Sequence, residues 1–175
     1  MAGFDEKNVI LAGNHDAYSD VWPRDFNLKL QKYFGEGWEK LENLYIEAFK
    51  EAPIAYFNEH YKLLALHGFI PIDERDWNFR KWGKDKDDPV TFQILWNDPA
   101  EVAMGWRGEG TYIVDTRITE KFFQNTGIRT IVRSHQPRVN KIFNLKNGKI
   151  VNLGSSSVYG IRAIFVLPEF ELIYY

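Results

Sequence analysis

The sequence contains no cysteine, which excludes disulfides, zinc–cysteine clusters and every thiol nucleophile, the thiol route to phosphate ester hydrolysis included. It also lacks a surplus of positive charge, since 22 Lys and Arg face 24 Asp and Glu for a formal net charge of -2. A protein that neutralises a nucleic-acid backbone needs a basic excess, so no nucleic-acid partner is expected. Long apolar runs are missing too. The longest, Ala163 to Leu167, falls far short of the roughly 20 residues a membrane helix needs, so no membrane partner is expected. The first residues, Met1 to Lys7, place acids where a signal peptide carries its positive region, and no apolar segment follows. These absences suggest a soluble, cytoplasmic protein. What is present, 175 residues of which 45% are apolar and 16% aromatic, suits a single domain over residues 1–175. A chain of that length buries well over half of its unfolded surface without a covalent staple.

Along the chain, Val9 to Ala12 is a short apolar run ending at Gly13-Asn14, the pattern of a buried strand that stops in a turn. Between Asp25 and Glu51, residues Trp38, Leu41, Leu44, Tyr45, Ala48 and Phe49 follow helical spacing, and Pro53 ends the segment. Ile54 to Phe57 and Lys62 to Leu66 read as a hairpin. Asp73 to Pro89 is strongly polar and reads as an exposed loop. Its Asp spacing does not match a calcium loop, which needs Gly at position six and Glu at position twelve. Phe92 to Trp96 reads as a strand, Thr116 to Asn125 as a helix and Ile128 to Val132 as a strand. Asn147-Gly148 is a strong hairpin turn, and Arg162 to Leu167 pairs with Glu171 to Tyr175. Helices early and strands late make the class α/β or α+β on a layered sheet.

Three of the four histidines follow apolar, strand-like runs: His15 in Gly13-Asn14-His15-Asp16, His67 before Gly68, and His135 in Ser134-His135-Gln136. Imidazole nitrogens joined by the amide oxygen of Asn14 suit a first-row divalent ion such as Mn, Fe or Zn. Taken singly, each histidine is as well explained by a hydrogen-bonded turn, and His60 keeps that explanation. Likewise Asn14 suits an Asx turn, Arg107 an exposed loop charge, Trp96 the core and Tyr159 a turn before Gly160.

The motifs in order are Gly13-Asn14-His15-Asp16, His67-Gly68, Trp96-Asn97-Asp98-Pro99, Arg107-Gly108, Val132-Arg133-Ser134-His135-Gln136 and Ser155-Ser156-Ser157-Val158-Tyr159-Gly160. Together they resemble the phosphoprotein phosphatase family, the serine/threonine branch of the calcineurin-like metallophosphoesterases, with a tail like that of its prokaryotic members. The resemblance runs from about Val9 to the C-terminus. It implies a layered β-sandwich flanked by helices, without the family's first strands. It also implies a dinuclear site in which two cations about 3.5–4 Å apart activate a water against a phosphate ester of a phosphoprotein. On that resemblance Asn14, His67 and His135 are ligands of the second metal and His15 is the general acid. Arg107 grips phosphate with its planar fork, Tyr159 and Trp96 line the substrate cleft, and Asp16 and Asp98 support the ligands from behind.

Two further family motifs, Gly-Asp-x-His-Gly and Gly-Asp-x-x-Asp-Arg-Gly, do not occur in this sequence. In the family they carry the remaining metal ligands, the bridging carboxylate and the carboxylate that orients the general acid. Their absence implies weak metal binding and little phosphatase activity for this chain alone. It also implies an open edge or apolar face beside Val9 to Ala12, met by a separate N-terminal half or by self-association. A non-catalytic module that binds phosphoproteins, and a phosphoesterase acting on nucleotides or small esters, are the alternatives.

Overall fold

The computed structural model describes residues 9–16, 25–83, 85, 87–103, 108–154, 160 and 162–174. Two helices come first, α1 (Asp25–Phe34) and α2 (Trp38–Lys50). The single helix expected over Asp25 to Glu51 is broken because Gly35 and Gly37 both adopt positive φ, 54° and 99°. This left-handed backbone favours glycine and stops helix propagation. The strands β1 (Ala55–Asn58) and β2 (Leu63–Leu66) form the expected antiparallel hairpin.

The main sheet has five strands in the order β1-β2-β5-β7-β6, where β5 is Thr130–Arg133, β6 is Asn140–Asn144 and β7 is Lys149–Leu153. Strands β2, β5 and β7 run parallel, while β1 and β6 flank them antiparallel. In register across the sheet lie Phe57, Leu64, Ile131, Ile150 and Phe143. This row faces the core, because side chains alternate along a strand and these five share one face. Helix α4 (Thr116–Thr126) covers it with Phe122 and Phe123. Asp115 caps that helix by accepting from Arg117 N, and Gly127 at φ 74° ends it. The opposite row, Tyr56, Ala65, Val132, Val151 and Ile142, is buried only at Val151. Two short parallel strands, β3 (Asp98–Pro99) and β4 (Ile113–Val114), pair with each other. A hairpin of β8 (Ala163–Val166) and β9 (Glu171–Tyr174) reaches the main sheet, where Tyr174 Oη donates to the Asn140 carbonyl at 2.7 Å.

Three further expectations are corrected. Val9 to Ala12 forms no strand: Val9 and Ile10 are exposed, and the segment is tied to the fold where Ala12 N donates to the Pro53 carbonyl at 2.9 Å. Phe92 to Trp96 belongs to a helix, α3 (Pro89–Trp96), started by Asp88, whose side chain accepts from Thr91 N, and by Pro89 at its first position. The Asp73 to Pro89 loop is anchored rather than solvated throughout. Trp77 is buried against Phe122 and donates to the Pro71 carbonyl, and Trp82 donates to the Asp76 carbonyl.

Candidate active site

The parallel strands deliver the candidate residues at their C-terminal ends, the edge where ligands of open α/β sheets bind. His67 follows β2 and His135 follows β5. Gly68, next to His67, donates its N–H to the Ile94 carbonyl at 3.0 Å, and a Cβ there would lie 2.6 Å from that oxygen. Only glycine lets the end of β2 meet α3 so closely. His135 itself sits at φ 63°, a backbone state uncommon for a residue with a side chain and concentrated at functional sites.

Asn14, His67 and His135 converge. Asn14 Oδ1 lies 2.8 Å from His67 Nε2, and Asn14 Nδ2 lies 3.1 Å from His135 Nε2. His135 Nδ1 is 2.9 Å from Asp98 Oδ1. A carboxylate only accepts, so Nδ1 of His135 carries the proton and Nε2 accepts from the Asn14 amide. Asn14 Oδ1 then accepts from Nε2–H of His67, and the chain of four side chains is internally consistent.

Behind it lies a buried ionic cluster. Arg133 occupies the position two after Ile131, on the core face of β5, and its side chain is fully buried. Its Nη2 is 2.7 Å from Asp98 Oδ1, Nε donates to the Gly68 carbonyl at 2.8 Å and Nη1 to Asn152 Oδ1 at 2.7 Å. Gln136 Nε2 donates to Asp98 Oδ2 at 2.5 Å. Burial pushes the Asp98 carboxyl up, but the hydrogen bond from His135 and the Arg133 charge outweigh it and hold Asp98 below the usual carboxylate range. His67 is held neutral, its pKa depressed to about 3, first by burial and then by the neighbouring His135, Arg133 and His15.

His15 is exposed and lies against Trp96, ring centroids 5.8 Å apart, with Trp96 also 5.9 Å from His135. The Trp96 Nε1–H is buried and has no hydrogen-bond partner among the described residues. Asp16 supports the turn before His15. It accepts from Gly13 N at 2.7 Å and from Tyr45 Oη at 2.5 Å, fixing the turn that holds Asn14 and joining it to α2. Burial, then the Asp16 hydrogen bond, raise the Tyr45 pKa well above its ordinary value. Arg107 and Tyr159 lie outside the described residues. His60 stacks edge-on against Tyr61, apart from the cluster. Sequence reasoning missed Arg133, Gln136, Asn152 and Tyr45.

The donor set of two imidazoles and one amide oxygen, with a carboxylate behind one imidazole, fits a divalent first-row ion. Among the described residues no group of three His, Cys, Asp or Glu gathers to hold a metal, so the candidate set depends on the Asn14 amide.

The sequence profile of the calcineurin-like phosphoesterases matches residues 3–139, and the chain belongs to that family. Within it, the chain is similar to serine/threonine-protein phosphatase T of Saccharomyces cerevisiae, 29% identical in an alignment 130 positions long that covers 69% of this chain and 25% of the relative. The fold matches, with a TM-score of 0.63 and 22% identity, a solved protein serine/threonine phosphatase from Saccharomyces cerevisiae described as similar to human phosphatase PP5. That match covers 86% of this chain and 48% of the other. The chain thus spans a quarter to a half of the length of these relatives.

Proposed function

We propose that this chain supplies three ligands of one metal and the leaving-group acid of a serine/threonine phosphoprotein phosphatase site. The observation that carries the proposal is the meeting of Asn14, His67 and His135 at the strand ends, with Asp98 fixing His135. A divalent ion would replace these hydrogen bonds, held by Asn14 Oδ1, by His135 Nε2 and by His67 once its proton moves from Nε2 to Nδ1, Mn being the proposed metal and Fe or Zn fitting the same donors. Such an ion polarises a phosphoryl oxygen and lowers the pKa of a bound water. Asp98 keeps the proton of His135 on Nδ1, so Nε2 presents its lone pair. Burial keeps His67 neutral, as a ligand must be. His15, exposed beside Trp96, would protonate the departing serine or threonine oxygen. Arg107 and Tyr159 are assigned to phosphate and substrate on their motifs alone.

Three neutral donors hold a cation weakly. The motifs that carry the carboxylate ligands do not occur in these 175 residues, so the remaining ligands would come from polypeptide outside them, such as a separate N-terminal half, and the proposed location is the cytoplasm. Hydrolysis of p-nitrophenyl phosphate and of a phosphoserine peptide with Mn tests this, for the chain alone and for the chain mixed with a polypeptide carrying the two motifs. The expected result is little activity alone and a gain in the mixture that EDTA and His15→Asn abolish. A mixture that forms a complex but hydrolyses nothing refutes it.

A further inference from the structure

A second site lies at the other end of the parallel strands. A cavity of about 500 Å³ is bounded by Lys62, which precedes β2, by the turn Asn125 to Gly127 at the end of α4, and by the anchored loop from Glu74 to Arg80. Lys62 and His67 are five residues apart on an extended strand, so the cavity and the histidine cluster are separated by about 16 Å at roughly 3.3 Å per residue. No residue of the cluster lines the cavity, so its binding chemistry is independent of the phosphatase proposal.

Its floor is aromatic and fixed. Phe57 and Phe79 pack with centroids 4.9 Å apart, and Trp77 beside them is locked by its hydrogen bond to the Pro71 carbonyl at 2.8 Å. The Arg80 guanidinium lies over both rings, 4.8 Å from Phe57 and 5.6 Å from Phe79. A guanidinium stacked on aromatic faces keeps its N–H rim directed outward, ready for a planar anion.

The charges do not cancel. Arg75 pairs with Asp73 through Nε at 3.0 Å and Nη2 at 2.5 Å, and Glu74 pairs with Lys121. That leaves Lys62 and Arg80 sharing, among the described residues, the single carboxylate of Glu59, at 4.0 and 3.7 Å, with both cations more than half exposed. At the cavity wall two cations, Lys62 and Arg80, face the one acid Glu59, while Asp76 of the same loop acts on Arg75 and does not line the cavity. One more carboxylate balances the two cations. A polyphosphate would instead meet Glu59 and Glu74 at the rim.

We propose that this cavity binds a peptide segment in which one acidic residue adjoins a large apolar one. The apolar side chain rests on Phe57, Phe79 and Trp77, while the carboxylate accepts from Arg80 and Lys62. Sites of this volume, with a preformed apolar floor and few convergent polar groups, suit such short segments. A protein bearing the segment would be tethered at the sheet end opposite the histidine cluster, raising its local concentration there.

The test is an amide NMR titration of the whole 15N-labelled chain with acetyl-Gly-Glu-Phe-Gly-amide as the probe. The expected result is shifts confined to residues near 57, 62, 74–80 and 125–127. Binding should weaken at least about fivefold when Gln replaces the peptide's Glu, the size expected for losing a charge-assisted hydrogen bond. Arg80→Gln and Lys62→Ala should weaken it similarly, the spectrum itself reporting that each variant is folded. The neutral-peptide arm requires no variant. Equal binding of neutral and acidic peptides, shifts mapping elsewhere, no shift at millimolar peptide, or ATP displacing the peptide at lower concentration each overturns the proposal.

Discussion

Replacing Asp98 by Asn removes one charge and almost no volume, so it isolates the electrostatics of the buried cluster. Asp98 accepts from Arg133, His135 and Gln136 at 2.7, 2.9 and 2.5 Å. An amide at that position keeps one oxygen, and its NH2 faces donors that it cannot accept from. Arg133 would then be a fully buried cation facing the neutral acceptors of the Gly68 and Asn97 carbonyls and Asn152 Oδ1. Breaking a buried pair by removing one partner costs about 3–5 kcal/mol. With a urea m-value of about 2 kcal/mol/M, the unfolding midpoint should fall by about 1.5–2.5 M. The assay is equilibrium urea unfolding in EDTA, followed by circular dichroism and tryptophan fluorescence. As a contrast, Arg75→Ala removes an equally close ion pair whose Arg side chain is 88% exposed, and because solvent screens that pair the unfolding midpoint should stay close to the parent's. In the double variant Asp98→Asn with Arg133→Met, the two losses should fall short of additivity by at least about 1 kcal/mol, because the second change removes the stranded charge. A loss below about 1 kcal/mol for Asp98→Asn, or full additivity in the double variant, would refute the argument that Asp98 is the required counter-ion of Arg133.

Three other outcomes are expected. His67 has a folded pKa of about 3, below the 6.5 of a free imidazole, so the unfolded chain binds the extra proton. The stability that the neutral ring contributes is present above pH 6.5 and is lost as pH falls toward 3, by up to about 1.4 kcal/mol per unit. Urea midpoints in EDTA at pH 7.5 and pH 5 should therefore fall more steeply in the parent than in His67→Gln, and equal slopes contradict it. Gly68→Ala should lose about 1–3 kcal/mol by thermal or urea unfolding, since its Cβ would meet the Ile94 carbonyl at 2.6 Å. Trp77→Ala should cost about 3–5 kcal/mol and expose the loop over residues 73–82 to limited proteolysis, because it removes the buried anchor against Phe122.

Much of the sheet was legible because its signals are local. Asn147-Gly148 specifies the β6–β7 turn, closed where Leu145 N donates to the Gly148 carbonyl at 2.8 Å, and Asp115 and Gly127 mark both ends of α4. The failures come from competition between local signals. Phe92 to Trp96 is apolar but for Gln93, a run too short for periodicity to assign to strand or helix. The deciding residues, Asp88 and Pro89, stand just before it as a helix start. Gly35 and Gly37 flank one residue just before the apolar period that starts at Trp38, so extending one helix back to Asp25 passes over the break they make.

The site divides in the same way. The residues Asn14, His15, His67 and His135 were readable because those residue types stand in a specific order beside glycines. The ionic cluster behind them was not, Asp98 apart, because composition treats an arginine as solvated and a core position as apolar. The alternation along β5 nevertheless held the clue. Arg133 follows Ile131 by two, so the pleat that buries Ile131 must also bury the guanidinium. A cation carried there requires an anion from elsewhere in the chain, and Asp98, which opens β3 just after α3, is the carboxylate that reaches it. The same oxygen of Asp98 that balances Arg133 also receives Nδ1–H of His135. The charge that lets β5 end inside the fold therefore also decides which nitrogen of His135 faces Asn14, so the stability of the sheet edge and the chemistry of the histidine cluster depend on one carboxylate.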